Sequence, residues 1–277
     1  MPNSITFFGG GHMATAIMAG LARSSTANVP QRICVVDPLA EVGARWEKAF
    51  QASWHPKANL EACASTCWIL AVKPQDVHTL CKQLDRIAPK HEALILSLAA
   101  GIRLATLRRW LGPQHRIVRS MPNTPALIGL GISGLYAEAG LGAADRGQAE
   151  DLLQTVGETL WLGEEAELDA VTAVSGSGPA YVFRFIEAMH DAAASLGLER
   201  DQAMKLVLAT LRGATELART SGLEPRELRE QVTSKGGTTA AALAVMDRED
   251  FDGLIQRALK AAARRSVELS LSADEAG

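Results

Sequence analysis

With 277 residues, 47% of them hydrophobic, the chain can bury a sizeable core and has room for two domains or one large one. Charged residues make up 21% and nearly cancel, leaving a formal charge of -3, and no basic stripe with interleaved aromatics points to nucleic acid. The N-terminus reads as a strand and no run reaches the roughly 18 apolar residues that a membrane span requires, so a soluble, cytoplasmic protein with no membrane partner is expected. Of the four cysteines, Cys34, Cys63, Cys67 and Cys81, only Cys63 and Cys67 are close, and no second pair stands at finger-like spacing. Buried thiols are expected, with no metal; the six histidines are scattered and show no ligand spacing either.

In chain order, Ile5 to Phe8 is an apolar run that stops at Gly9, Gly10 and Gly11, and a helical pattern opens with Met13, Ala16, Ile17, Gly20 and Leu21. Strand, glycine turn and helix match the dinucleotide fingerprint. Gly9 makes the tight turn, Gly11 lets the backbone approach a pyrophosphate, and Ala14 keeps the helix close to the strand. Free N–H groups and the positive end of the helix dipole would face the phosphates. After a polar loop over Ser24 to Gln31, a β-branched strand from Ile33 to Val36 ends in Asp37 and Pro38. Asp37 is then either the carboxylate that hydrogen-bonds an adenosine ribose or only the start of an Asp-Pro turn.

A helix through Trp46 and Phe50, a short segment from Asn59 to Thr66 and a strand from Trp68 to Val72 follow. Lys73 and Pro74 stop that strand, and Lys73 is either a crevice contact or a solvent-facing lysine. Strands over Leu94 to Leu98 and Arg116 to Arg119 flank a helix from Ala105 to Leu111, and Ala99, Ala100 and Gly101 leave room for something flat against the backbone. MPNTP, Met121 to Pro125, cannot continue a strand because its prolines lack the donor. Ile132 to Tyr136 and Thr159 to Leu162 are further strands around a helix from Asp145 to Val156, so a parallel, doubly wound α/β sheet of Rossmann type is expected over residues 1–163.

Residues 164–277 read as all-helical. SGSGPAY, beginning at Ser175, and SKGGTT, Ser234 to Thr239, are strings of small residues with hydroxyls, each read as a loop of free backbone N–H groups just before a helix, an arrangement that binds a carboxylate. Neither has a neighbouring histidine to activate a serine, which argues against a hydrolytic triad. The helices, over Val182 to Leu196, Arg200 to Ser221, Pro225 to Val232, an Ala-rich stretch to Met246 and Phe251 to Leu271, carry Ala and Leu on more than one side, so at least a homodimer through this half is expected.

FFGGGHMATAI, AVKPQ (Ala71 to Gln75), MPNTP, SGSGPAY and GGTT, in this order and spanning nearly the whole chain, resemble pyrroline-5-carboxylate reductase. The resemblance implies reduction of a small-molecule cyclic imine carboxylate, 1-pyrroline-5-carboxylate, to L-proline by NADPH or NADH. It also implies dimers interlocked through the helices, often assembled into a ring. Carried across, the cofactor loop falls on Gly9, Gly10, Gly11, His12 and Met13. Adenosine-side contacts fall on Asp37 and Asn59, and nicotinamide-side contacts on Ala71, Val72, Lys73 and Pro74, with Ala99, Ala100, Gly101 and Asn123 also in the cofactor set. The carboxylate cradle falls on Ser234, Gly236, Gly237 and Thr238, with Ser175 nearby, and Thr239 matches the residue whose hydroxyl bonds the ring nitrogen.

This sequence departs from the family at His12, where Asn is usual, at Lys235, where Pro is usual, and at Asp37, where many relatives carry a hydroxyl or basic residue and prefer NADPH. Asp37 therefore raises the expectation that NADH is used comparatively well. The rival readings are a two-domain hydroxyacid dehydrogenase using His190 or Lys205 as proton donor and a cofactor-binding scaffold without turnover; nicotinamide oxidation with each substrate class separates them.

Overall fold

The computed structural model describes residues 3–23 and 30–275, so the loop expected over Ser24 to Gln31 lies, as far as residue 29, outside the described residues. Its first part alternates strand β1 (Ser4–Phe8), helix α1 (His12–Arg23), β2 (Arg32–Val36), α2 (Ala40–Phe50), β3 (Ser53–His55), α3 (Leu60–Cys63), β4 (Cys67–Leu70), α4 (Pro74–Ile87), β5 (Leu94–Ser97), α5 (Leu104–Leu111) and β6 (Arg116–Met121). It continues through β7 (Gly131–Tyr136), α6 (Ala143–Gln154) and β8 (Gly157–Trp161). Then come α7 (Glu167–Val171), α8 (Gly178–Ser195), α9 (Arg200–Thr220), α10 (Pro225–Gln231), α11 (Thr238–Arg248) and α12 (Phe251–Glu275).

The strands form one sheet in the order β3-β2-β1-β4-β5-β6-β7-β8. The chain winds outward from β1 to β3, then crosses back to continue from β4, which puts a topological switch point between β1 and β4. One pairing departs from the expected all-parallel sheet: β7 runs antiparallel to β6. Only a 3-10 turn, Thr124–Ile128, lies between them, and a parallel return needs a crossover of a dozen residues or more. Successive strand residues feed opposite faces. Ile69, Leu96 and Val118 pack with Ile17 and Trp46, whereas Trp68, Leu70, Ile95 and Ile117 pack with Leu84 and Leu107. Both faces are covered by helices, which is why the inner strands read as continuous apolar runs.

The chain divides into two compact units, residues 1–177 with 262–277, and residues 178–261. In the first unit the C-terminal turns of α12 are fastened by polar contacts: Ser266 Oγ donates to Asp169 Oδ1 at 2.5 Å and the Arg109 guanidinium to the Asp274 carbonyl at 2.9 Å. Thr106 also donates to the Asp274 carboxylate. The second unit has almost no interior of its own. Among the described residues of α8, α9, α10 and α11 only His190, Ala203 and Val207 are buried, while Val182, Phe183, Leu206 and Leu217 are more than half exposed. All four cysteines are buried free thiols, as expected. Burial pushes Cys63 up to about 11 and Cys67 and Cys81 up to about 12, so they stay protonated and unreactive. No described helix is long and apolar enough to cross a membrane.

Candidate active site

The parallel register sets the site in the first unit. Phe8 pairs with Val36 on one side and Leu70 on the other, and Leu70 with Ser97, so the residues that follow these four strand ends leave the sheet at one edge. Those residues are Gly9 to Gly11, Asp37, Ala71 to Pro74 and Ala99 to Gly101. Asn123 follows β6. In open α/β sheets this carboxyl edge beside the switch point is where ligands bind.

The glycine turn is held from three directions. Gly9 has φ +98, and a Cβ there would stand 2.7 Å from the Ala71 carbonyl oxygen, so both its backbone shape and its space exclude a side chain. Gly10 is gripped at both ends of its backbone. Its N–H donates to Asp37 Oδ2 at 2.9 Å, and its carbonyl accepts from Arg45 Nη2 at 2.8 Å and Trp46 Nε1 at 3.2 Å. Gly11 faces open space, where an added Cβ would meet nothing within 4 Å. The first backbone bond into α1 is Thr15 N–H to the Gly11 carbonyl, which leaves the amides of Gly11, His12, Met13 and Ala14 unpaired inside the helix. Donors, dipole and room coincide there, so the turn fits a dinucleotide pyrophosphate.

Other residues expected at the cofactor fall into place unequally. Ala71 donates its N–H to Phe8, and Lys73 ends the strand as the exposed N-cap of α4 with Pro74 in the first turn. Asn59 caps α3 through its Oδ1 on the Ala62 N–H at 2.8 Å and contacts His55 through Nδ2 at 3.0 Å, so both ends of its amide are engaged structurally. Asn123 is buried, and its Oδ1 accepts the Ile132 N–H at 3.0 Å, which ties the 3-10 turn to β7. After Ala99 and Ala100, the backbone at Gly101 takes φ +72 and lies against α12, where an added Cβ would be 3.3 Å from Leu269. Arg45 was missed in the sequence because nothing in its helical spacing marks it; only the fold carries it to the glycine turn.

SGSG is not the open loop expected before α8. Thr172–Gly176 is a π turn that joins α7 to α8, and the Ser177 N–H donates back to the Thr172 carbonyl at 2.8 Å. Ser175 Oγ is likewise committed, donating to the Val171 carbonyl at 3.1 Å. Small residues permit this widening: a Cβ at Gly176 would stand 2.5 Å from Met121 Cε, so the π turn and MPNTP pack together. The same turn borders a cleft of about 280 Å³ lined by Ile132, Gly134, Leu160, Val171, Val174 and Ser175, in which Ser175 is the one polar side chain of an otherwise apolar lining.

In the second unit, the Ser234 to Thr239 loop does have the expected form. Gly237 N–H closes a turn on the Ser234 carbonyl at 3.0 Å, Gly236 takes φ +72, and α11 begins at Thr238 with no side chain capping its amides. Thr239 is half-buried and its hydroxyl bonds no other described residue. His190, by contrast, is buried between α8 and α9, its ring nitrogen 3.2 Å from the Arg200 carbonyl, and Lys205 is exposed on α9. Among the described residues no cluster of three or more His, Cys, Asp or Glu has a metal-holding arrangement.

A doubly wound sheet with a glycine turn at its switch point, followed by a helical region, defines a nicotinamide-nucleotide oxidoreductase. Residues 4–101 match the family model described as NADP oxidoreductase coenzyme F420-dependent. Residues 165–269 match the model of pyrroline-5-carboxylate reductase dimerisation. The chain is 46% identical over 267 residues to a pyrroline-5-carboxylate reductase of Pseudomonas aeruginosa, covering 96% of each, and 39% identical over 266 residues to that of Haemophilus influenzae, covering 96% of this chain and 97% of the relative. Among solved structures, a pyrroline-5-carboxylate reductase from Coxiella burnetii superposes with a TM-score of 0.88 at 35% identity, covering 97% and 98% of the two chains. One from Plasmodium falciparum with NADP bound gives 0.83 at 27% identity, covering 96% and 98%. The chain belongs to the pyrroline-5-carboxylate reductase family.

Proposed function

We propose that this protein reduces 1-pyrroline-5-carboxylate to L-proline with NADPH or NADH. The observation that carries the reading, beyond family membership, is the uncapped N-terminus of α11 with the free Thr239 hydroxyl in its first turn. The bound nicotinamide supplies the hydride that the imine carbon accepts. Amides of the Ser234 to Thr239 loop, at the positive end of the α11 dipole, hold the substrate carboxylate. Lys235 adds positive charge beside them. The imine nitrogen of the ring is easily protonated, and the Thr239 hydroxyl oxygen accepts its N–H, which orients the ring without a metal. Gly9 to Met13 cradle the pyrophosphate, and Ala71 to Pro74 border the nicotinamide side.

In this reading residues 1–163 serve the cofactor and residues 164–277 serve substrate binding and dimerisation, a division supported by the family match over 165–269. The exposed apolar side chains of α8 and α9 support a homodimer through the helices, with further assembly into a ring and a cytoplasmic setting as part of the same proposal. The test follows absorbance at 340 nm with pyrroline-5-carboxylate, then with 2- and 3-hydroxy acids in the reverse direction. Oxidation of the cofactor by the imine alone is expected, and turnover of hydroxy acids alone would overturn the reading.

A further inference from the structure

We infer that Asp37 makes this enzyme select NADH over NADPH, and that Arg45 is the positioning residue that holds the turn against it. The inference rests on the nicotinamide-nucleotide reading above but not on which imine is reduced.

Each of the four polar atoms of Asp37 is committed. Its N–H donates to the His55 carbonyl at 3.1 Å and its carbonyl accepts from Trp54 Nε1 at 2.9 Å. Oδ1 accepts the Leu39 N–H at 3.0 Å and Oδ2 the Gly10 N–H at 2.9 Å. A carboxylate held this way cannot swing aside without orphaning the Gly10 amide. Each oxygen accepts one bond and keeps a lone pair, which suits a donor such as a ribose hydroxyl. A 2′-phosphate brings only acceptors and negative charge to the same place, and repulsion at short range in a partly desolvated site is strong.

Among the described residues no cation pairs with the carboxylate. Asp37 forms no ion pair with any described residue, and the nearest guanidinium contact in the turn, Arg45 Nη2, is on the Gly10 carbonyl. Arg45 has no acidic partner among the described residues either. Carboxylate and guanidinium thus grip opposite ends of one glycine, and the grip keeps the Gly10 N–H aimed at Oδ2.

Isothermal titration of the intact protein with NADH and with NADPH, without substrate, tests this. NADH is expected to bind at least about tenfold more tightly, and Asp37→Asn, which keeps shape and one acceptor but removes the charge, is expected to bring the two dissociation constants within about threefold. Arg45→Gln weakens both nucleotides by a similar factor and leaves their ratio, whereas Arg45→Lys restores the affinity. Equal or tighter binding of NADPH by the wild-type protein overturns the inference, as does an unchanged ratio in Asp37→Asn or a ratio that collapses only in Arg45→Gln. Nucleotide preference without imine turnover would sink the reductase reading alone; turnover without preference would sink this one alone.

Discussion

The glycine turn and the α11 loop are both helix N-termini built from small residues, yet they are finished to different degrees. Around Gly10, Asp37, Arg45, Trp46 and Trp54 form a closed set of hydrogen bonds within one compact unit, over a core with fully buried Trp46 and Phe7. Around Thr239, amides and hydroxyl are left open, and the unit that carries them buries little of its own apolar surface. The sheet unit is self-sufficient as one chain folds it. The helical unit leaves the described start of α11 uncapped and the apolar side chains of α8 and α9 uncovered.

Substitutions can break that contrast at either end. The largest effect is expected at the open one: Thr239→Ala removes a single hydroxyl with no internal partner, and kcat should fall at least about 100-fold while nucleotide affinity measured by titration stays unchanged. Unchanged turnover would remove Thr239 from the mechanism. Phe183→Glu places a charge on an exposed apolar face of α8 and should weaken self-association at least about 100-fold by sedimentation or light scattering. A dimer as tight as wild type would show that this face is not the contact.

At the finished end, Gly9→Ala forces a left-handed residue and a clash with the Ala71 carbonyl, and should cost about 2–3 kcal/mol in denaturant unfolding together with nucleotide binding. The smallest effect is a pH dependence confined to the sheet unit. His115 is buried against the Trp68 ring, centroids 5.0 Å apart, and burial, with the neighbouring His91 charge, pushes its pKa down to about 4. Below about pH 6.5 the unfolded chain takes up a proton that the folded chain refuses, so stability falls as pH drops from 7 towards 4. The loss should be about 2 kcal/mol between pH 7 and 5, and a His115→Asn variant should flatten that slope in unfolding titrations at the two pH values.

Periodicity made most of the first unit legible, because strands with both faces covered appear as apolar runs and glycines mark where they end. Helix α4 is absent from the elements expected above, although Val77, Leu80, Cys81 and Leu84 stand at helical spacing and are all buried; Pro74 both ends the preceding strand, as expected, and opens this helix. The antiparallel β7 was not readable, since strand direction depends on the length and shape of residues 122–130 and not on β7 itself. SGSG misled for a related reason: small residues permit a loop, a cap or a π turn, and the choice depends on Met121 packing against Gly176 from a distant segment. Arg45 shows the same limit, as its partner is a backbone carbonyl contributed by another element.

Two of the five tryptophans donate their indole N–H groups at the glycine turn, Trp46 to Gly10 itself and Trp54 to Asp37, whose carboxylate holds the Gly10 N–H. Indole emission responds to local polarity and field, so the protein carries its own optical reporter at the glycine turn. Replacing the remaining three by phenylalanine would leave a signal whose wavelength follows the state of that turn alone.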